Sequence, residues 1–467
     1  MLEVKETGLQ SMLEKAISEA KENHTARMIS MTKKVNKTNP LLFIEAGKKL
    51  SVDRTFWSST SENFSIAGIG CAHEINAKSN RMEEAEEAWQ KLRDEAIIHN
   101  PYKTSGTGLV TMGGMSFDPL MQKTSLWKNF SHLSLTIPEM LLTQSDDNCY
   151  LTTNVKVNAD DQAAELAQRL NKMERMLLNP SINLPGEVGI EMKQEIDPET
   201  WKQTVTYATD YIKQNYAKKI VLARKLFVKL SDEAAVSSVL KKLIEQQPNS
   251  YVFAFERNGD CFLGASPERL VKQENDEVLS TCLAGTAPRG KTKEEDDRIA
   301  HSLLYDEKNR SEHDFVVKMI RQSMEHYCRA VNVPDKPVIY PLKNLQHLYT
   351  PVTAVLNERY SIFDIIERLH PTPALGGVPR DESLAFIREH EQLDRGWYGA
   401  PVGWMDSNRN GEFAVAIRSG LIQGDKASLF AGCGIVQDSN PDEEYKETGI
   451  KFLPMLSVLG GGNHESH

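Results

Sequence analysis

The second half of this chain is punctuated by hairpin turns rather than by strand–helix–strand alternation. Arg257-Asn258-Gly259-Asp260 separates the strand-like runs 251–256 and 261–265, and an Asn-Gly centre suits a tight hairpin. A second turn at 408–411 separates 402–406 from 412–418, and Gly424-Asp425 precedes a strand at 429–432. Strands joined by so few residues must run antiparallel, because a parallel return needs a long crossover. Helical sequence over 293–331 supplies a covering layer. The expected class is therefore α+β, antiparallel sheets flanked by outer helices. Neither G-x-G-x-x-G nor a P-loop occurs, which lowers the case for a nucleotide-binding fold.

The first part reads differently in detail but not in class. Strand-like runs at 41–45, 64–70, 109–117 and 132–137 surround a charged helical stretch at 82–98, as in a lobe with an antiparallel or mixed sheet. From 160 to 178, Ala164, Leu166, Leu170, Met173 and Leu177 return at helical spacing. The stretch 179–189, NPSINLPGEVG, then breaks the pattern. It suggests a division into a lobe of residues 1–195 and a second unit of residues 196–460. Asp197-Pro198-Glu199 is a helix start, with a capping carboxylate and proline in the first turn. The helix should run to about 218 and lead into a strand at 220–228.

Composition narrows the class of partner. The 467 residues carry 55 Lys+Arg against 65 Asp+Glu, a formal charge of −10 with both signs dispersed. Such a surface argues against nucleic acid or an anionic membrane as partner, without forbidding an anionic substrate in a locally positive pocket. The six cysteines are scattered, with no C-x-x-C, so no zinc site or disulfide framework is expected. The charged N-terminal sequence has no apolar core of a signal peptide, and no uncharged apolar run of about 18 residues appears. A soluble, cytoplasmic protein is the expectation.

Individual residues with chemical potential each carry two readings. Lys219 opens the apolar strand KIVLAR; it is either a solvated strand-end lysine or a general base kept neutral by burial or a neighbouring cation. Glu268, in GASPERL, follows a strand. Ser-Pro-Glu can cap a helix, or the carboxyl can be a general acid at a strand exit. Glu312, in NRSEHD, shares an i+4 stripe with Val316, Ile320, Met324 and Cys328. A carboxylate facing a core must be paired, protonated or bound to a cation, and Arg310 and His313 are available partners. Glu444, Glu447 and Lys451 share one face of a short helix in EEYKETGIK. Exposed, they form surface ion pairs; facing a cleft, the glutamates suit a hard cation such as magnesium. Arg418 ends the strand AVAIRSG and could clamp a carboxylate, while Gly432-Cys433-Gly434 permits a bulge or a close ligand approach. His370, in LHPTPA, reads as a rigid loop histidine.

Taken in order, KIVLAR, GASPERL, LAGT, NRSEHD and EEYKETG resemble the chorismate-utilising enzymes, the isochorismate, salicylate, anthranilate and aminodeoxychorismate synthases. The resemblance covers roughly residues 200–460 and is similar most of all to the isochorismate synthases. It implies the chorismate-binding fold. Lys219 would be the base that activates water for attack at ring C2, and Glu268 the acid that protonates the departing C4 hydroxyl. Glu312 and Glu447 would hold Mg2+, with Glu444 nearby through water. Arg418, Gly432, Lys451 and the Gly285-Thr286 backbone would hold the carboxylates, with Tyr398 as an addition. A lysine at 219 favours water over ammonia as nucleophile, and Ala284 in LAGT departs from the aminodeoxychorismate pattern. Cys433 stands where a smaller residue is common and narrows the pocket slightly. The resemblance implies chorismate as substrate and no obligatory glutaminase subunit. The product would be isochorismate for menaquinone or a siderophore. The alternatives are a salicylate synthase or another chorismate lyase, and a non-catalytic chorismate-binding subunit.

Overall fold

The hairpin at Arg257–Asp260 forms as its sequence demands. Strands Tyr251–Arg257 and Asp260–Ser266 pair antiparallel across it, with Asn258 at φ 50° and Gly259 at φ 84°. A computed structural model of the chain describes residues 3–342 and 345–460. Among the described residues, strands gather into a thirteen-stranded and a ten-stranded sheet. Pairing is antiparallel except where Arg27–Val35 runs parallel to Ile97–His99. No described helix is long and apolar enough to cross a membrane.

Both sheets draw on both halves of the sequence. In the larger, Tyr251–Arg257 pairs with Arg54–Ser59. In the smaller, Pro401–Asp406 pairs with Val110–Met115. The segments 1–195 and 196–460 are thus joined by backbone hydrogen bonds in each sheet, although the chain between Leu178 and Ile190 is an irregular connection.

Alternating strand residues face inward and fill the space between the sheets. Trp57, Phe253, Phe262 and Phe430 of the larger sheet meet Val402, Trp404 and Ala414 of the smaller in one buried cluster. Trp127 stacks on Phe430 with centroids 5.5 Å apart and meets Phe262 edge-on at 5.3 Å. The outer face of the larger sheet is covered by helices that include Ala163–Leu178, Val236–Gln246 and Pro441–Val458, through Leu170, Leu240 and Phe452. Helices Arg81–Glu95, Glu307–Tyr327 and Ile362–Leu369 contribute Trp89, Ile320 and Ile366 to a separate core with the smaller sheet.

Local expectations differ from the fold in three places. Residues 41–45, expected as a strand, lie in the helix Pro40–Lys48. Asn39 caps that helix by accepting from Leu41 N at 2.8 Å, with proline in the first turn, and this start signal outweighs the short apolar run. The helix beginning at Pro198 stops at Lys213, and the next strand starts at Lys219. The helical layer expected over 293–331 divides into Lys293–Tyr305 and Glu307–Tyr327, because Asp306 caps the second helix through Asn309 N, and that layer's last residues instead fall in the strand Cys328–Asn332.

Candidate active site

The polypeptide crosses twice between the sheets at adjacent points. Asp260–Ser266 belongs to the larger sheet and Arg269–Glu274 to the smaller, so Glu268 lies on the first crossing. The return, from Gly411–Val415 to Ser419–Gln423, carries Arg418. Ala265 N donates to Arg418 O at 3.1 Å, and Val415 N donates to Glu268 O at 3.0 Å. Ser266 Oγ accepts from Glu268 N at 3.2 Å, so Ser-Pro-Glu makes a local turn at a sheet crossing rather than a helix cap.

This placement sets the electrostatics. Burial pushes the Glu268 carboxyl up to about 7, against the pull of the Arg418 and Lys219 charges. Near neutrality much of it is therefore protonated, as a general acid requires. Burial also lowers Arg418, opposed by Tyr398, Glu447 and Glu268. No side chain among the described residues hydrogen-bonds or ion-pairs with the Arg418 guanidinium, which leaves its fork available to an anion. Arg418 also holds φ at 51°, a left-handed conformation uncommon for a residue with a side chain and recurrent at ligand sites.

Lys219 is the first residue of the strand Lys219–Leu230. Its Nζ lies 2.7 Å from Glu312 Oε1. On the neighbouring strand, a Cβ at Gly434 would stand 2.4 Å from Lys219 Cε; glycine there makes room for the lysine. The strand is further fixed by a buried ion pair, Arg395 and Glu391, at 2.6 Å. Glu391 accepts from Ala223 N at 2.7 Å, and Arg395 donates to Val221 O at 2.7 Å. Arg395 O in turn accepts from Tyr398 N at 2.9 Å, so one pair locates both the lysine strand and Tyr398. Sequence reading had passed over Glu391 and Arg395, whose i,i+4 spacing alone resembles any helical surface pair.

The expected acids occupy the same region without forming a closed cage. Asn440 caps the helix Pro441–Val458 by accepting from Asp442 N and Glu443 N. About two turns in, Glu447 pairs with Lys451 at 2.6 Å, while Lys451 also donates to Gly432 O at 2.8 Å. Glu444 accepts from Ser439 Oγ at 2.7 Å. Among the described residues, no three His, Cys, Asp or Glu side chains converge as a metal-holding group. Glu312 also departs from the expected core stripe: its side chain is 46 % exposed and its partner is Lys219, not Arg310 or His313. His313 takes the buried position instead, bonded to Thr350 Oγ1 at 2.7 Å.

The carboxylate-binding candidates cluster around Arg418 and Lys451. Gly285 sits at φ 78° on a bulge between Ala284 and Thr286, where a Cβ would crowd Asn309 and Leu348. Thr286 Oγ1 lies 3.0 Å from His347 Nδ1. Burial pushes His347 down to about 4, aided by Arg418 and Lys451 and opposed by its bond with the Gly285 backbone. His347 was not singled out from the sequence. It lies on the open face of Leu345–Leu356, whose buried positions include the polar Gln346 and Thr350, so no apolar alternation in the sequence marks it. Tyr398, buried and stacked on Phe430, brings its hydroxyl to 3.3 Å from where a Gly432 Cβ would be. Burial raises that phenol above its usual range. His370 lies outside this cluster, buried, with Nε2 2.8 Å from Phe117 O.

The structure therefore makes neighbours of Lys219, Glu268 and Arg418, and of Tyr398, Gly432 and Lys451, with Glu312 and Glu447 paired to the two lysines. Comparison with known proteins shows the family. Residues 15–460 match the family described as Chorismate binding enzyme. The chain is 43 % identical over 453 residues to isochorismate synthase MenF of Bacillus subtilis (strain 168), covering 96 % of each. It is 34 % identical over 462 residues to the salicylate biosynthesis isochorismate synthase of Pseudomonas aeruginosa, covering 97 % of this chain and 95 % of that protein. Its fold matches the menaquinone-specific isochorismate synthase MenF of Escherichia coli with TM-score 0.78 at 22 % identity, over 96 % of this chain and 99 % of that one. A family match over residues 15–460, with a relative 43 % identical over nearly the whole chain, means that the chain belongs to the chorismate-binding enzymes.

Proposed function

We propose that this chain is an isochorismate synthase, an isomerase that moves a hydroxyl from C4 of chorismate to C2, supplying menaquinone synthesis. The observation that carries the reading is Glu268. Its carboxyl is held up to about 7 beside Lys219 and a free Arg418, as an acid acting on a bound anion should be. The full-length relatives named isochorismate synthases support the choice of product.

The proposed sequence balances in water. Lys219 takes a proton from a water that forms the C2–O bond; the ring double bonds shift; the C4–O bond breaks as Glu268 gives its proton, and water departs. The base and acid must lie across the ring from each other. Arg418, Lys451 and the Gly285-Thr286 backbone would hold the two carboxylates, offsetting the cost of bringing a dianion into the cleft. Lys219 must first exchange its Glu312 partner, since an ammonium in an ion pair is no base.

Two partly exposed carboxylates at the rim, Glu312 and Glu447, fit a magnesium ion, which usually takes one or two protein carboxylates and keeps several waters. Glu444 would lie in its outer sphere. Bound there, the ion would supply positive charge against the substrate's ring carboxylate.

The test is incubation of the purified chain with chorismate and Mg2+, with products resolved by chromatography. Isochorismate rising to a plateau beside residual chorismate, without pyruvate, supports the reading. Pyruvate with salicylate would reassign the chain as a lyase, and no conversion would remove the proposal.

A further inference from the structure

A second cavity, of about 1010 Å³, is lined by none of the residues assigned to the cleft. It is bordered by the first turns of helices Arg81–Glu95 and Arg380–His390 and by the end of Ile362–Leu369. Neither of the first two helices has a side-chain cap at its N-terminus. Uncapped N–H groups favour anions, but the stronger observation is Arg81. It is 8 % exposed and lines the cavity, and among the described residues no carboxylate pairs with it. Its Nη1 donates to Ser116 O at 2.6 Å, Ser116 Oγ at 3.1 Å and His132 O at 3.4 Å. Nε and Nη2 have no partner among the described residues.

A buried cation without a counter-charge is costly, and burial lowers Arg81 to about 10, with Asp118 and Glu367 only partly compensating. Asp118 cannot neutralise it by contact, being bound to Arg388 Nε at 2.5 Å and Leu120 N at 2.9 Å. Arg380, also lining the cavity, meets only the carbonyls of Glu367 and Arg368, each at 3.5 Å. His370, 3 % exposed and on the same lining, donates from Nε2 to Phe117 O and has an unpartnered Nδ1. Arg81 and Arg380 thus have unused donor capacity at one place, whereas His370 Nδ1, with the proton on Nε2, offers a lone pair that an anion must avoid.

The rest of the lining indicates the kind of occupant. Phe117 and Phe363 reach the lining from the core, while seven lining carboxylates against five arginines oppose a second negative charge. We infer that this cavity is a second binding site, for a small organic monoanion whose carboxylate engages the free edge of Arg81 and whose apolar body packs on Phe117 and Phe363. The site is also tied to the catalytic strand. Ser383, in the helix that begins at Arg380, donates to Lys219 O at 3.0 Å, and Lys218 N donates to Val378 O at 2.7 Å. The helix that borders the cavity is therefore hydrogen-bonded to the segment that carries Lys219.

The test is calorimetric titration with benzoate, using benzamide as the uncharged control. The Arg418→Gln chain is the background, so that the catalytic cleft does not report. Saturable binding of one benzoate is expected there, with none for benzamide. Adding Arg81→Gln should weaken it at least tenfold, and adding the surface-tolerant Arg380→Gln should weaken it several-fold. No saturable binding in the Arg418→Gln chain, or equal affinity with both further substitutions, would overturn the inference. Loss of fold in the Arg81 variant leaves the Arg380 variant to decide. The titration needs no turnover and so fails or succeeds independently of the isomerase reading.

Discussion

Glu268 and Arg418 occupy the two adjacent strand crossings between the sheets and are clamped there by reciprocal backbone hydrogen bonds, Ala265 N to Arg418 O and Val415 N to Glu268 O. Neither backbone segment can move without disturbing both sheets. The arginine's charge thus stays on the crossing next to the Glu268 carboxyl, where it opposes the rise in pKa that burial causes.

The first prediction concerns pH. Burial raises Glu268 to about 7, and Arg418 holds it lower than burial alone would. Since the protonated form is the acid, kcat/KM for chorismate should fall as pH rises through about 7. Removing the positive charge in Arg418→Gln takes away stabilisation of the carboxylate, so the falling limb should move to higher pH. KM should rise in the same variant because the fork is lost. A limb that stays in place would detach Arg418 from the acid's titration.

Stability should show the opposite face of the same residue. A carboxyl whose folded pKa is raised above its ordinary value of 4.5 destabilises the fold increasingly as pH passes from 4.5 through about 7, and fully above it. Glu268→Gln cannot ionise. It should melt close to the parent chain at pH 4 and above it at pH 8, while forming no isochorismate. Thermal denaturation at the two pH values measures this directly, and an equal difference at both would remove burial as the cause.

Lys219 and the glycine opposite it give a paired prediction. Lys219→Ala should lower turnover by about 10²–10⁴-fold, the usual contribution of a positioned base, with little change in KM. Gly434→Ala places a methyl 2.4 Å from Lys219 Cε, the far end of a flexible chain, so the protein should fold and the lysine should shift, lowering kcat. Gly377→Ala differs, because φ is 122° and the new Cβ would meet Lys219 O at 2.2 Å. That substitution should lower the melting temperature as well as kcat.

How much of this was legible in the sequence depended on distance along the chain. The hairpin at Asn258-Gly259 could be read because its cause lies in four consecutive residues. The family could be read because each motif carries its residues on a short segment. The pairing of Tyr251–Arg257 with Arg54–Ser59 had no local signature, nor did the Glu312–Lys219 contact, which spans 93 residues. Residues 41–45 show the reverse error: five apolar-rich residues suggested a strand, while the Asn39-Pro40 start that makes them helical was present and overlooked. For Glu312, a spacing argument displaced the true core residue by one position, to His313. A helical stripe is about 100° wide or more, so adjacent positions at its edge are not separable by period alone.

The rim carboxylates lead to a metal prediction. Glu312 and Glu447 are each paired with a lysine, at 2.7 and 2.6 Å, so a divalent cation must compete with Lys219 and Lys451 for them. Chelation should abolish turnover, and Mg2+ should restore it with a saturation curve. If Glu312 and Glu447 are the ion's two carboxylate ligands, as proposed, Glu447→Gln and Glu312→Gln should each shift that curve to higher Mg2+, by tenfold or more. Glu444→Gln, whose carboxylate is engaged by Ser439, should shift it less. Activity that ignored chelation would exclude the ion from the reaction.

The buried pair beneath Lys219 gives the largest expected loss of stability. Arg395 and Glu391 side chains are 4 % and 2 % exposed, and between them they bind Val221 O, Ala223 N and Leu375 O. Arg395→Met strands a buried carboxylate and should cost about 3–5 kcal/mol, read as a lowered denaturation midpoint. The double variant Arg395→Met, Glu391→Gln removes the stranded charge and should recover part of that loss. It should not recover turnover, because the strand carrying Lys219 and the loop carrying Tyr398 have lost their common anchor. If stability and turnover return together, the pair only props the core. If stability returns alone, Arg395 and Glu391 are positioning residues for the base.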